Sequence, residues 1–258
     1  VRLLALVATV AAAASPVQFL QEHQGIDGGF AEVGGRSSLS LTAWVALGLE
    51  SRGEPAGQAL DYLRAHEDDR MPATTRALVA LAAAALGDPA PAARLPTGVG
   101  QTNAIIWTII ARRQAGLPVP AALVRALVAR QVRSGGWSWA KGGAPDSNDT
   151  AAAVQALRAV GVSGASIRRA LAYLTTTQQA DGGFALLPGR SSDAQSTAWA
   201  IQGFLAAGKA VPRNALTYLR QLRRTDGSYA LSKRYATTPV WVTAQVLPAV
   251  ARRPFPLR

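Results

Sequence analysis

Apolar residues in this chain recur at helical spacing, in runs that come in pairs. Between Ala170 and Gly208 the pattern is complete. A helix-like run (Arg168–Gln179) meets the glycine-rich corner Asp181-Gly182-Gly183-Phe184, a polar loop follows, and a second apolar run (Ala194–Ala207) stops at Gly208. Glycine ends a helix because it enters the left-handed conformation without a Cβ clash. The corner recurs at fixed spacing. Tyr173-Leu174, Gln178, Gly182 and Phe184 in the central copy match Phe19-Leu20, Gln24, Gly28 and Phe30 in the first. Gln131, Gly135 and Trp137 make a third copy, and Tyr218-Leu219, Arg223, Gly227 and Tyr229 a last one. Tyr62-Leu63 and Glu67 are a degenerate copy in which Asp68-Asp69-Arg70 replaces the glycines. Such a period predicts a repeat architecture.

Aligning the second runs on their closing glycines counts the units. Gly53, Gly87, Gly116, Gly161 and Gly208 each close one, and a sixth ends near Val250. Nine residues before those glycines stand Trp44, Leu78, Trp107, Ala152 and Trp199, with Trp241 read as the equivalent in the sixth. These six runs suit an inner ring, and the first runs, near 16–24, 56–67, 118–131, 164–179 and 212–223, suit an outer one. Asp88–Gly100 is rich in helix breakers and predicts a reduced outer helix. The expected fold is all-α: an (α/α)6 toroid of helical hairpins with one reduced outer helix. A hairpin cannot bury its apolar stripe alone, whereas neighbours in a ring bury it on both sides.

Arg169-Ala170, Tyr173-Leu174, Gln178, Gly182 and Phe184 resemble the QW repeat of squalene and oxidosqualene cyclases, with Phe in place of Trp. More broadly the chain is similar to the prenyltransferase and squalene-cyclase repeat superfamily. That resemblance implies an α/α toroid, and the superfamily also includes cobalamin carriers and complement-like thioester domains. A shared scaffold says little about chemistry. Gln24, Gln131 and Gln178 are read as structural, each amide bonding helix-end groups rather than a ligand.

Composition narrows the options. No cysteine occurs among the 258 residues, so disulfides, thiolate zinc sites and thioesters are excluded. No apolar run is long enough for a transmembrane span. The net charge of +12 is carried mostly by arginine, since only Lys141, Lys209 and Lys233 are lysines. It reflects either a GC-rich coding sequence or attraction to an anionic cell-envelope surface. Nucleic-acid binding is not expected, because no basic run carries interleaved aromatics. Residues 1–14 have the basic tip, apolar stretch and small residues of a secretory signal peptide, or else extend the first helix. Ser15 as N-cap and Pro16 at the first position start the fold, giving one toroid domain over 15–258. The expected location is secreted or cell-envelope associated.

Chemistry is expected at the inner-helix N-termini, where Asp146, Asp149 and Asp193 form a polar funnel above an apolar barrel carrying Trp44, Trp107, Trp199 and Trp241. Helix capping explains the aspartates equally well, and packing the tryptophans. The resemblance supplies two tests of catalysis. Prenyltransferases hold zinc with Asp, Cys and His at such positions; here Ser196 replaces the histidine, and His23 and His66 lie on outer helices, so no metal or cofactor is expected. Cyclases use a DxDD acid motif and usually a second α-barrel, whereas this chain offers only Asp146-Ser-Asn-Asp149. The reading is a noncatalytic module binding an apolar or amphipathic small molecule, whether isoprenoid, lipid or corrinoid-like. The alternative is a minimal cyclase- or transferase-like enzyme with Asp146, Asp149 or Asp193 as acid.

Overall fold

The computed structural model describes residues 14–68 and 70–257. The first thirteen residues, on which the signal-peptide reading falls, lie outside the described part. Twelve helices and one short antiparallel pair are present among the described residues. Six helices form an inner ring: α2 (Leu39–Glu50), α4 (Ala73–Ala85), α6 (Thr102–Gln114), α8 (Ser147–Ala159), α10 (Ala194–Ala206) and α12 (Pro239–Val250). Each packs on the next, and α12 closes on α2. The outer helices are α1 (Pro16–Gln21), α3 (Ala59–Ala65), α5 (Ala90–Ala93), α7 (Ala121–Ala129), α9 (Ala165–Thr177) and α11 (Ala215–Gln221). From α1 to α9 each outer helix bridges two inner neighbours, while α11 packs on α10. The chain is therefore an α/α toroid of six hairpins, and α5 is the reduced outer helix.

Sequence accounts for the difference between the rings. Inner helices are covered on all sides; in α6 every residue from Thr102 to Ala111 is buried. The outer helix α9 instead buries a single stripe, Ile167, Ala170, Tyr173, Leu174 and Thr177, at helical spacing. Gly53, Gly87, Gly116, Gly161 and Gly208 all have positive φ just past the inner helices, as their role as terminators requires. Ser15 caps α1 by accepting from Gln18 N at 3.0 Å.

Each corner is a machine for joining one hairpin to the next. The corner aromatic's N–H donates to a threonine hydroxyl on its inner helix: Phe30 to Thr42, Trp137 to Thr150, Phe184 to Thr197 and Tyr229 to Thr243, all at 2.8–2.9 Å. The corner glutamine spans two carbonyls. Gln178 Nε2 donates to Gly182 O within the corner and to Arg213 O at the next outer hairpin; Gln24 and Gln131 do the same with Gly28 and Ala56, and Gly135 and Ser166. In the last copy Arg223 reaches Ala14 O, returning to the chain's start. Beside the Phe184 corner, β1 (Phe184–Ala185) pairs with β2 (Ser192–Asp193).

A further set of bonds, not visible in the sequence, links loops to helices. Two residues after each corner aromatic, the backbone carbonyl caps the preceding inner helix. Trp139 O accepts from Asn103 N, Leu186 O from Ser147 N and Leu231 O from Ala194 N, at 2.7–3.0 Å. In the first copy that position is Glu32, whose carboxylate accepts from Val240 N and Trp241 N at 3.1 and 2.8 Å. Glu32 thereby closes the ring. At the opposite end the tail folds back: buried Phe255 lies against Trp44, Trp107 and Trp199, and its N–H donates to Gln155 Oε1 at 2.7 Å.

Glycine at the corner is a packing requirement as well as a conformational one. Gly182 has φ +88°, and a Cβ there would stand 2.5 Å from Asn214 Cβ and 2.9 Å from Asn214 O. Gly189 also has positive φ (+77°) but faces open space. Gly189→Ala is expected to lose about 1–2 kcal/mol from backbone strain. Gly182→Ala is expected to lose roughly 3 kcal/mol or more, because overpacking against backbone adds to the strain. Urea denaturation of the two variants checks this; equal losses would show that the corner does not press on the next hairpin.

Candidate functional site

A cavity of about 400 Å³ opens at the end of the ring where the inner helices begin. Every inner helix contributes one residue to each of two layers. The upper layer is Ser40, Thr74, Asn103, Asn148, Gln195 and Trp241; the lower is Trp44, Leu78, Trp107, Ala152, Trp199 and Gln245. Because first-turn residues of all six helices line one cavity, the helices start at the same mouth. Trp139 and Leu186 stand at its rim, and Phe255 seals the floor beneath the tryptophans. The lower tryptophans meet edge to face, with Trp44, Trp107 and Trp199 centroids 5.4–5.6 Å apart. Such contacts are the favoured aromatic arrangement and fix the cavity's base.

One wall is polar. Asp146 caps α8, its Oδ1 accepting from Asp149 N at 2.8 Å. The N-cap site positions both carboxyls: Asp149 lies in the first turn of α8 and faces Asn103 on α6, whose Nδ2 donates to Asp149 Oδ1 at 2.5 Å. The Asp149 carboxyl is pushed up to about 8, chiefly by burial and then by the neighbouring Asp146 charge and hydrogen bond, against the opposing bond from Asn103. Asp146 is raised too, chiefly by burial. Two close carboxyls out of water resist double ionisation, so the pair keeps a proton at neutral pH. Asn103 is only 5 % exposed, and its Oδ1 has no hydrogen-bond partner. A buried acceptor without a donor is costly unless something supplies one.

The structure places the remaining sequence candidates as follows. Trp44, Trp107, Trp199 and Trp241 all line the cavity and touch one another through Trp44. Trp241 does not occupy the place first assigned to it. Gln245 is the residue level with Trp44, Trp107 and Trp199, and Trp241 stands one turn nearer the mouth. The reason is that α12 lacks a terminating glycine, whereas its corner threonine, Thr243, aligns with Thr42 and Thr197 two residues before the lower layer. Gln245 Oε1 accepts from Trp199 Nε1 and Gln195 Nε2, both at 2.9 Å. Asp193 is outside the cavity lining. Its carboxyl, raised by burial, accepts from Ser196 N and Oγ at 2.7 and 2.8 Å and serves as the α10 cap. His23 and His66 lie just past α1 and α3 and bond Phe19 O and Tyr62 O. No cluster of three metal-ligating side chains occurs among the described residues. Asn103, Asn148 and Gln195 were missed in the sequence, although each stands four residues before an aligned inner-ring position.

Solved structures share this architecture. A protein from Actinoplanes aligns with a TM-score of 0.71 at 21% identity, over 92% of this chain and 97% of its own. The type II terpene cyclase MstE from Scytonema aligns with a TM-score of 0.64 at 18% identity, over 92% and 95%. A substituted variant of MstE has also been solved with its substrate geranylgeranyl dihydroxybenzoate. A glycosidase aligns with a TM-score of 0.68 at 14% identity, over 92% and 94%. The fold is that of the terpene-cyclase toroid. At these identities the likeness establishes the fold and no chemistry. The alignment covers 95% of the MstE chain, so that cyclase chain matches this single ring over nearly all its length. No protein-family model matches the chain, and no curated protein matches it.

The Asp149 proton has a consequence for stability. The unfolded chain releases it near the ordinary carboxylate value of 3.8, whereas the folded chain holds it to about 8. Stability from this group is therefore complete below about pH 4 and is lost progressively as pH rises to about 8. Asp149→Asn cannot ionise, so its melting temperature relative to the parent should rise across that window by several degrees and level off above it. Calorimetry at stepped pH checks this; a flat difference would mean that Asp149 is ionised in the fold.

Proposed function

We propose that this toroid binds an apolar chain bearing a hydrogen-bond-donating head, isoprenoid or lipid in kind, in the tryptophan-lined cavity. The observation that carries the reading is the unpartnered Oδ1 of buried Asn103 in the polar wall, above a base of tryptophan. A hydroxyl donating to that atom satisfies it, while the chain lies against Trp44, Trp107 and Trp199. The volume of about 400 Å³ falls at the small end of ligand sites and suits one extended chain better than a corrinoid. MstE's geranylgeranyl substrate is apolar in the same sense.

The proton held by Asp149 favours one second reading, acid catalysis on the bound chain. Asp149 would transfer its proton to a carbon–carbon double bond, forming a C–H bond and a carbocation beside the tryptophan faces, which favour positive charge. Transfer of a proton from a neighbouring carbon to water would return the ligand as an isomer or cyclised product, and water would return a proton to Asp149.

Titration of tryptophan fluorescence with geranylgeraniol and its methyl ether tests binding. The parent protein is expected to bind the alcohol at least tenfold tighter than the ether, which lacks a donor. Asn103→Leu should remove that preference, a change of about 1.4 kcal/mol or more, and Ala152→Trp should block both by filling the cavity. Failure of the parent to saturate, or a preference surviving in Asn103→Leu, would sink the binding reading. Deuterium incorporation into the ligand in heavy water, lost in Asp149→Asn, would establish the acid reading instead.

A further inference from the structure

Exposed apolar side chains in this protein gather at one end of the ring. Among the described residues, seven large hydrophobics are strongly exposed: Ile26, Val33, Val99, Val128, Trp139, Leu186 and Tyr235. Six lie in the segments leading into the inner-helix N-termini, which surround the cavity mouth, and Val128 lies in the last turn of α7, running towards the same end. None falls in the connections after the inner helices at the opposite end. The exposures are large for side chains of this size, at 69 % for Val33, 52 % for Tyr235, 51 % for Trp139 and 43 % for Leu186. Scattered single apolar residues are ordinary on a surface, but a one-sided ring of them is not.

Each of these four residues has a basic neighbour in its own loop. Arg36 follows Val33, Lys141 follows Trp139, Arg190 follows Leu186, and Lys233 and Arg234 precede Tyr235; all five are exposed. None makes an ion pair among the described residues. Acidic groups nearby are already engaged: Glu32 caps α12, Asp27 and Asp181 accept from Ser37 and Ser192, and Asp68 pairs with Arg70. The mouth therefore presents apolar tips alternating with unneutralised positive charge, around a hole with an aromatic lining.

We infer that this face docks on an anionic phospholipid bilayer, with Val33, Trp139, Leu186 and Tyr235 entering the interface and Arg36, Lys141, Arg190, Lys233 and Arg234 meeting lipid phosphates. Amphipathic aromatic rings and basic side chains are the pair that holds proteins at such interfaces, and neither alone is sufficient. The opposite end separates the two contributions, since the turns that follow the inner helices carry exposed Arg52, Lys209 and Arg252 without exposed large apolar side chains. Docking in this orientation puts the cavity mouth against the hydrocarbon, although the inference stands whether or not the cavity holds a ligand.

Co-sedimentation with vesicles of phosphatidylglycerol and phosphatidylcholine, against phosphatidylcholine alone, tests it. The parent protein is expected to partition at least tenfold more strongly onto the anionic vesicles. Part of that binding should survive a rise from about 0.1 M to about 1 M salt, where the screening length falls from ~10 Å to ~3 Å. Replacing Val33 and Tyr235 together by Ser, outside the cavity lining and at constant charge, should weaken partitioning about tenfold. Lys141→Gln with Arg190→Gln and Lys233→Gln should do the same at low salt. Arg52→Gln with Lys209→Gln and Arg252→Gln removes equal charge from the far end and should change it less than twofold. All these side chains are exposed, and circular dichroism checks that each variant folds. Absence of binding, equal effects of the two charge triples, or indifference to the Val33 and Tyr235 changes would overturn the proposal. Geranylgeraniol quenching of the same variants reads the cavity separately.

Discussion

A close backbone contact holds this ring together: a glycine of one hairpin pressed against the outer helix of the next. At Gly182 the neighbour is Asn214, at Gly28 it is Gln58, and at Gly227 it is Ser15, so the last corner rests on the first helix. A side chain would hold the hairpins apart, and the positive φ at these positions would strain most side chains even in open space. Everything nearer the centre depends on that contact. It sets the distance at which the corner glutamine reaches two carbonyls and at which the corner aromatic meets its threonine. Through those bonds the inner helices are held side by side with their first turns level.

Level first turns turn a packing scheme into a site. Six parallel N-termini bring capping residues together by geometry alone, and a cap favours short polar side chains. Asp146 is in that sense an ordinary cap. Its effect on Asp149 comes from burial, which leaves little water to stabilise a second negative charge. Asp193 shows the contrast: it too is buried and raised, but Ser196 answers its carboxyl, and it takes no part in the cavity. Both caps bond within their own helices, and they differ in the residue three positions on: Ser196 in α10, and in α8 Asp149, which Asn103 meets across the ring.

Much of this was legible in the sequence wherever a local rule governs it. Terminating glycines, the capping residues Ser15 and Asp146, the shortened α5 and the tryptophan layers follow from spacing and conformational preference. What was not legible joins residues far apart. Asn103 meets Asp149 across 46 positions, and Phe255 meets Gln155 across 100. The misplacement of Trp241 has the same root, because α12 has no closing glycine to count back from. The loop-to-helix caps were invisible for another reason: they use backbone carbonyls, which leave no mark on residue identity.

That last feature bears on how such a ring came to have its number of hairpins. A cap made by a backbone carbonyl tolerates almost any residue at its position, as Trp139, Leu186 and Leu231 illustrate. Units joined in this way can be duplicated or lost without rewriting that cap. Where the ends of the chain meet, Glu32 instead reaches α12 with its carboxylate. At the three junctions capped by a carbonyl the cap itself puts no demand on residue identity, whereas at the seam the side chain must span whatever gap the accumulated curvature leaves. Comparing ancestral rings of different size at the position of Glu32 is therefore a way to read the history of their growth.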